Sequence, residues 1–288
     1  LGIRQKKLFR DREMIQSINC KGELITFDKP KVMGIINITP DSFYEGSRHR
    51  EMNDILKQVD RMMEQGADLI DIGGYSSRPG ADDIPLQEEL DRVIPVICNV
   101  ANKFPRVRIS VDTFRSDVAG QALDNGAAMI NDISAGLLDD AMMDVVSRYQ
   151  VPYVMMHMKG TPQTMRSLNQ YNDLITEIIH YFSERIQRAN ELGINDLIID
   201  PGFGFAKNID QNFELLKRLS HLEHLELPLL IGVSRKSMVH KTLGIKPEEA
   251  LNGTTALNML ALDRGASILR VHDVKEAVEC CKLYDRIN

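Results

Sequence analysis

The chain has 288 residues, 43% of them hydrophobic and 26% charged, with a formal net charge of −6. That is enough apolar side chain for one large core, and the acidic balance argues against general binding to nucleic acid. Four cysteines, two of them the adjacent Cys280 and Cys281, are too few and too irregular for a disulfide framework or a zinc site, which points to a reducing, cytoplasmic setting.

The first 28 residues alternate charged and apolar side chains without the apolar stretch of a signal peptide, and no run of about 18 apolar residues follows to span a membrane. Residues 14–28 read as a β-hairpin with Lys21-Gly22 at its turn. From there β-rich runs at 32–38, 68–72, 107–112, 128–133, 153–157, 196–200, 229–233 and 267–271 alternate with helical patterns such as 53–65, 86–103 and 173–192. Gly66, Gly126, Gly193 and Gly265 each sit just past a helix, where a left-handed cap favours glycine, and a new strand follows within three residues. Strand, helix, glycine and strand is the rhythm of a parallel sheet. Eight such units predict an α/β fold, a closed (β/α)8 TIM barrel with an N-terminal β-hairpin extension, rather than an open doubly wound sheet. The lack of a Gly-x-Gly-x-x-Gly turn after the first strand weakens the dinucleotide-binding alternative. The expected division is an extension at 1–31 and a single barrel domain at 32–288.

In a TIM barrel the active site forms at the C-terminal ends of the strands. Here those ends carry Asn37, Asp71, Asp112, Asn131 with Asp132, His157, Asp200, Ser234 with Arg235 and Lys236, and Arg270 with His272. One such residue is as well explained by a loop cap; eight consecutive strands ending in polar groups point them into one mouth. Asp112, Asn131 and Asp200 supply acceptors that suit the amidine-like edge of an amino-pyrimidinone, as in a pterin or guanine. Arg78, Lys236, Arg270 and His272 supply cationic donors, and arginine and histidine suit phosphate oxygens. The inventory asks for a heterocycle rich in donors at one end and phosphate at the other.

Nine motifs in chain order carry a family resemblance: MGIINITPDSF at 33–43, DIGGYSSRPGA at 71–81, SVDT at 110–113, NDIS at 131–134, MHMKGTP at 156–162, DPGFGF at 200–205, GVSRKS at 232–237, GTTA at 253–256 and RVHDV at 270–274. Together they resemble the signatures of dihydropteroate synthases, from about residue 18 to the end. The resemblance implies condensation of a dihydropterin methyl diphosphate with p-aminobenzoate, and it implies roles. Asp112, Asn131, Asp200 and Lys236 would hold the pterin; Ser77, Arg270 and His272 would contact the diphosphate; Asn37 would ligate Mg²⁺ beside it. Ser234, Arg235, Phe205 and Pro79 would border the p-aminobenzoate site, with Arg78 and Asp41 on mobile loops. The same resemblance implies a homodimer, and the small and apolar segment 250–262 suggests its interface lies on the last two barrel helices.

Two departures stand out. Tyr75-Ser76-Ser77 replaces the usual glutamate followed by Ser-Thr, keeping the hydroxyl but losing a charge, and the first loop at 44–50 is unusually basic. Alternatives remain open on residues alone. One is a pterin-binding methyltransferase, which has no diphosphate to grip. Another is a Schiff-base aldolase using Lys236. A third is a catalytically idle pterin-binding paralogue.

Overall fold

The structure, a computed structural model, describes residues 16–38, 48–76 and 82–287. The alternating N-terminal stretch folds into a hairpin of β1 (Ser17–Cys20) and β2 (Glu23–Thr26), paired antiparallel. Its turn places Lys21 at φ 53° and Gly22 at φ 78°. Two left-handed residues in succession match the twist of a hairpin, and glycine adopts that conformation without steric cost. Ile18, Cys20 and Ile25 share one face and pack onto Met33, Leu69, Met129 and Ile198 at the bottom of the barrel. The hairpin therefore closes the barrel's N-terminal end.

The barrel runs β3 (Lys31–Asn37), α1 (Arg48–Glu64), β4 (Leu69–Gly73), α2 (Leu86–Lys103), β5 (Ile109–Asp112), α3 (Ser116–Asp124), β6 (Met129–Asp132), α4 (Met142–Tyr149) and β7 (Tyr153–Met156). It continues with α5 (Leu174–Glu191), β8 (Leu197–Asp200), α6 (Ile209–Lys217), β9 (Leu230–Ile231), α7 (Ser237–Leu243), α8 (Leu251–Asp263), β10 (Ile268–Val271) and α9 (Val274–Ile287). Strands β3 to β10 form one parallel sheet in the order β8-β7-β6-β5-β4-β3-β10-β9. A parallel bridge between Ile199 and Leu229 joins its two outer strands, so the sheet closes on itself. Closure removes the unpaired edges that an open sheet would expose. The four glycines expected past helix ends, Gly66, Gly126, Gly193 and Gly265, all have positive φ, from 73° to 111°.

Side chains alternate across each strand with period two. On β6, Met129 packs inside the barrel, Ile130 packs outward against the helices, Asn131 faces the mouth and Asp132 points outward again. The same alternation brings Asp112, Met156, Asp200 and Arg270 to the mouth from β5, β7, β8 and β10. Strand β9 is only two residues long where a run at 229–233 is expected. Past Ile231 the backbone curls into a turn, with the Lys236 N–H donating to the Val233 carbonyl at 3.2 Å and Arg235 at φ 55°. That turn lifts Ser234 and Lys236 to the rim.

Candidate active site

Asp112, Asn131, Asp200, Lys236, Arg270 and Phe205 line one cavity at the barrel mouth, together with Ile133, Met156 and Gly232. Sequence reasoning places the first six there and misses Ile133 and Gly232, whose apolar or absent side chains send no polar signal. Ile133 and Met156 belong to a small apolar cluster with Met158, Met165 and Ala206 that forms the cavity's dry wall.

Arg270 is the centre of the arrangement. Its Nε donates to Asp71 Oδ2 at 2.6 Å and its terminal nitrogen donates to Asp112 Oδ2 at 2.6 Å. Asn131 Nδ2 adds a third donor to the group, bonding Asp71 Oδ2 at 3.0 Å. The sequence separates an acidic end of the site from a cationic one; in the folded chain Arg270 bridges them. Burial disfavours its charge, but Asp71 and Asp112 hold its pKa above the ordinary arginine range. Burial pushes the Asp112 carboxyl up to about 7 while Arg270 pulls it back. With Arg270 folded in, the cavity keeps only about 20 Å³ of free space, room for about one water molecule.

Asp200 is raised above the usual carboxylate range by burial, offset chiefly by Lys236. Its Oδ1 accepts the Gly202 N–H at 2.8 Å. Lys236 donates to the Phe203 carbonyl and stands 5.1 Å from the centre of the Phe205 ring. Burial lowers the Lys236 pKa to about 8, with Asp200 opposing the shift. Gly202 has φ 72°, and a Cβ there would sit 2.1 Å from the His157 carbonyl oxygen, so glycine is required for this close approach.

At the rim, Ser234 Oγ bonds His272 Nδ1 at 3.0 Å and accepts the His272 N–H at 3.2 Å. The Arg235 guanidinium is turned to Asp273, with contacts of 3.0 and 2.6 Å, and does not line the cavity. Asn37 ends β3 exposed. Asp41, Ser77, Arg78 and Pro79 lie outside the described residues. Asp132 is spent on structure, accepting from Ser134, Gly136 and Tyr153. Tyr75, the departure in the second motif, is buried edge-on against Phe114 with ring centres 5.0 Å apart, and its hydroxyl accepts from Gln163 Nε2 at 2.9 Å. It ties the end of β4 to the loop after β7.

A barrel mouth with two buried carboxylates, an amide and a lysine has the chemistry of a pterin site, and residues 33–272 match the family described as pterin binding enzyme. The chain is 43% identical over 267 residues to the dihydropteroate synthase of Escherichia coli (strain K12), a match covering 92% of this chain and 94% of that one. The chain belongs to the dihydropteroate synthases of the pterin-binding enzyme family. The crystal structure of the Yersinia pestis dihydropteroate synthase with a sulfonamide drug complex superposes with a TM-score of 0.88 at 43% identity, covering 94% of this chain and 99% of that one. The Xanthomonas albilineans dihydropteroate synthase with 4-aminobenzoic acid gives a TM-score of 0.87 at 41% identity, covering 95% and 98%.

Proposed function

We infer that the chain condenses (7,8-dihydropterin-6-yl)methyl diphosphate with p-aminobenzoate, giving 7,8-dihydropteroate and diphosphate for folate synthesis. The observation that carries this reading is the convergence of Asp112, Asn131, Asp200 and Lys236 on one cavity in a member of this family. Asp112, Asn131 and Asp200 match the N–H edge of the pterin, and the wall of Ile133 and Met156 excludes water beside it. Asp112 can offer its carboxylate to the pterin only by giving up its Arg270 contact, so Arg270 leaves it as the pterin enters. Its guanidinium then meets the diphosphate, joined by His272 and, by family resemblance, Ser77.

The reaction breaks the bond between the methylene carbon and the diphosphate oxygen, and the arylamine nitrogen forms the new bond and sheds a proton. The electron-rich dihydropterin spreads positive charge from the methylene carbon, and Asp112 and Asp200 favour that charge electrostatically. The arylamine is neutral near pH 7, so positioning replaces a strong general base. Ser234, Phe205 and, by resemblance, Pro79 border the p-aminobenzoate. Arg235 braces that rim through Asp273.

Among the described residues no group of three His, Cys, Asp or Glu side chains is arranged to hold a metal ion. Exposed Asn37 offers a neutral oxygen, which suits a hard cation that keeps its waters and takes its other ligands from phosphate. We therefore propose Mg²⁺ beside Asn37, where it would neutralise charge on the diphosphate oxygens. All four cysteines are free thiols, which favours a cytoplasmic setting. No helix among the described residues is long and apolar enough to cross a membrane.

Leu243, Leu260, Leu283 and Ile287, on α7, α8 and α9, are exposed, which favours a homodimer through these last helices. Light scattering at micromolar concentration distinguishes dimer from monomer. The decisive assay for the reaction mixes protein, diphosphate substrate and p-aminobenzoate: diphosphate release is expected only with Mg²⁺, and full turnover in excess chelator removes the metal. No release under any condition refutes the condensation.

A further inference from the structure

The turn joining β8 to α6 makes little regular backbone pairing, yet it is held at nearly every residue. Gly202, Gly204 and Ala206 all have positive φ, at 72°, 82° and 47°. Lys207, only 8% exposed, returns its ammonium beneath this turn. Its Nζ donates to the Gly202 carbonyl at 3.0 Å, to the Phe205 carbonyl at 3.1 Å and to His157 Nδ1 at 3.0 Å. An ammonium has three donors, and all three are used. The next residue, Asn208, caps α6 in a reciprocal pair with Gln211, which anchors the backbone of Lys207.

His157, 2% exposed, lies on the far side of the ammonium. Burial and the charge of Lys207 hold its pKa well below the ordinary histidine value, so the ring is neutral. With Nδ1 accepting from Lys207, the ring proton belongs on Nε2. The other side of the same turn is the active site. Asp200 Oδ1 accepts the Gly202 N–H, and Phe205 faces the cavity.

We propose that Lys207, held by His157, is a positioning residue that sets the Asp200 carboxylate and the Phe205 ring at the barrel mouth without touching either substrate. This rests on the condensation inferred above. The charged groups around Lys207 are Asp200 at the end of β8, Lys236 after β9 and Lys159 after β7. Burial lowers its pKa to about 7, with Asp200 opposing the shift. A neutral amine has two N–H groups for three acceptors, so on deprotonation the third contact survives only if the His157 proton moves to Nδ1. The imidazole tautomer therefore reports the state of the lysine.

The test replaces Lys207 with Met in the full chain. The Gly202 and Phe205 carbonyls then lose their donor, and both the p-aminobenzoate KM and the pterin Kd are expected to rise roughly tenfold, with a smaller fall in kcat. A lysine that merely stabilised the fold would lower the melting temperature and leave both constants unchanged. In the wild type, ¹⁵N spectra of His157 should show the proton on Nε2 below about pH 7, where Lys207 is charged. His157→Asn places an amide oxygen near the former Nδ1 and should keep wild-type constants; His157→Leu removes one of the three acceptors and should raise both constants by a smaller factor than Lys207→Met.

A folded Lys207→Met protein with unchanged KM and pterin Kd overturns the proposal, as does a proton on Nδ1 in that pH range. If Lys207→Met does not fold, the two His157 variants decide, and equal constants in both overturn it. A wild-type chain that fails to turn over refutes the condensation instead, while pterin affinity and the His157 spectra still judge Lys207.

Discussion

Asp112 and Asp200 end β5 and β8 with their carboxylates under the mouth, where burial favours the protonated form of each. Binding the pterin's N–H edge requires the ionised form. Asp112, raised to about 7, must lose its proton first, so pterin affinity should climb as pH rises toward about 7. Lys236, lowered to about 8, loses its charge above that, so affinity should fall again. Calorimetry across this range should trace a bell belonging to the coupled site as a whole. Arg270→Met removes the cation that pulls the Asp112 pKa down, so the acid limb should move to higher pH; an unmoved limb would detach that limb from Asp112. Folding stability responds to the same shift. The folded Asp112 carboxyl keeps its proton to about 7 and the unfolded one releases it near 3.8, so its contribution is present below about 4 and lost as pH rises through about 7. Asp200→Asn turns an acceptor into a donor facing the same heterocycle. A mispaired buried group costs about 1–3 kcal/mol, so pterin affinity should fall at least about tenfold, and unchanged calorimetric affinity would put the heterocycle elsewhere.

At the scale of elements, the hairpin and the site occupy opposite ends of the barrel. Ile18 is 1% exposed against the barrel floor. Ile18→Ala should therefore cost about 2–5 kcal/mol of stability through the cavity it leaves, lowering the melting temperature by roughly 2–4 °C for each kcal/mol. Its kcat and KM at moderate temperature should match the wild type. Altered kinetics with an unchanged melting temperature would mean that the hairpin acts on the mouth and not on the floor. Most elements are legible in the sequence because periodicity and glycine caps are local signals. Strand β9 is the exception. The run at 229–233 looks uniformly apolar, but the Leu229 carbonyl accepts the N–H groups of both Ser267 and Ile268, and the chain turns to the rim after Ile231.

For the whole molecule, the order in which substrates bind is the main expectation. The segments 39–47 and 77–81, the second of which carries Arg78, lie outside the described residues, and Arg48 and Arg50 open α1. By the family resemblance these arginines would be drawn inward toward an anion at the mouth. Of the residues that the resemblance assigns to the p-aminobenzoate side, Ser234, Arg235 and Phe205 are among the described residues and Pro79 is not. The free acid should therefore bind weakly to the empty protein and much more tightly with Mg²⁺ and diphosphate present. Linkage is reciprocal, so p-aminobenzoate should tighten diphosphate by the same factor. Titrations with and without Mg²⁺-diphosphate measure this, and equal affinities in both would end the idea.

Eight repeats of one local pattern and nine motifs in chain order specify the barrel, its N-terminal hairpin and the family, because few other folds or chemistries share them. They also single out Asp112, Asn131, Asp200, Lys236 and Arg270, since strand ends share one mouth in this architecture. What each of these groups meets depends on the folded chain. Arg270 crosses to Asp71 and Asp112, Arg235 turns to Asp273, and Tyr75 reaches Gln163 across the mouth. Lys207 carries no signal in the sequence, being one lysine just before a helix. Its role lies in a contact with His157, 50 positions away. Pairings of that kind depend on closure of the sheet, which brings residues distant in sequence within hydrogen-bond reach, and no local pattern encodes them.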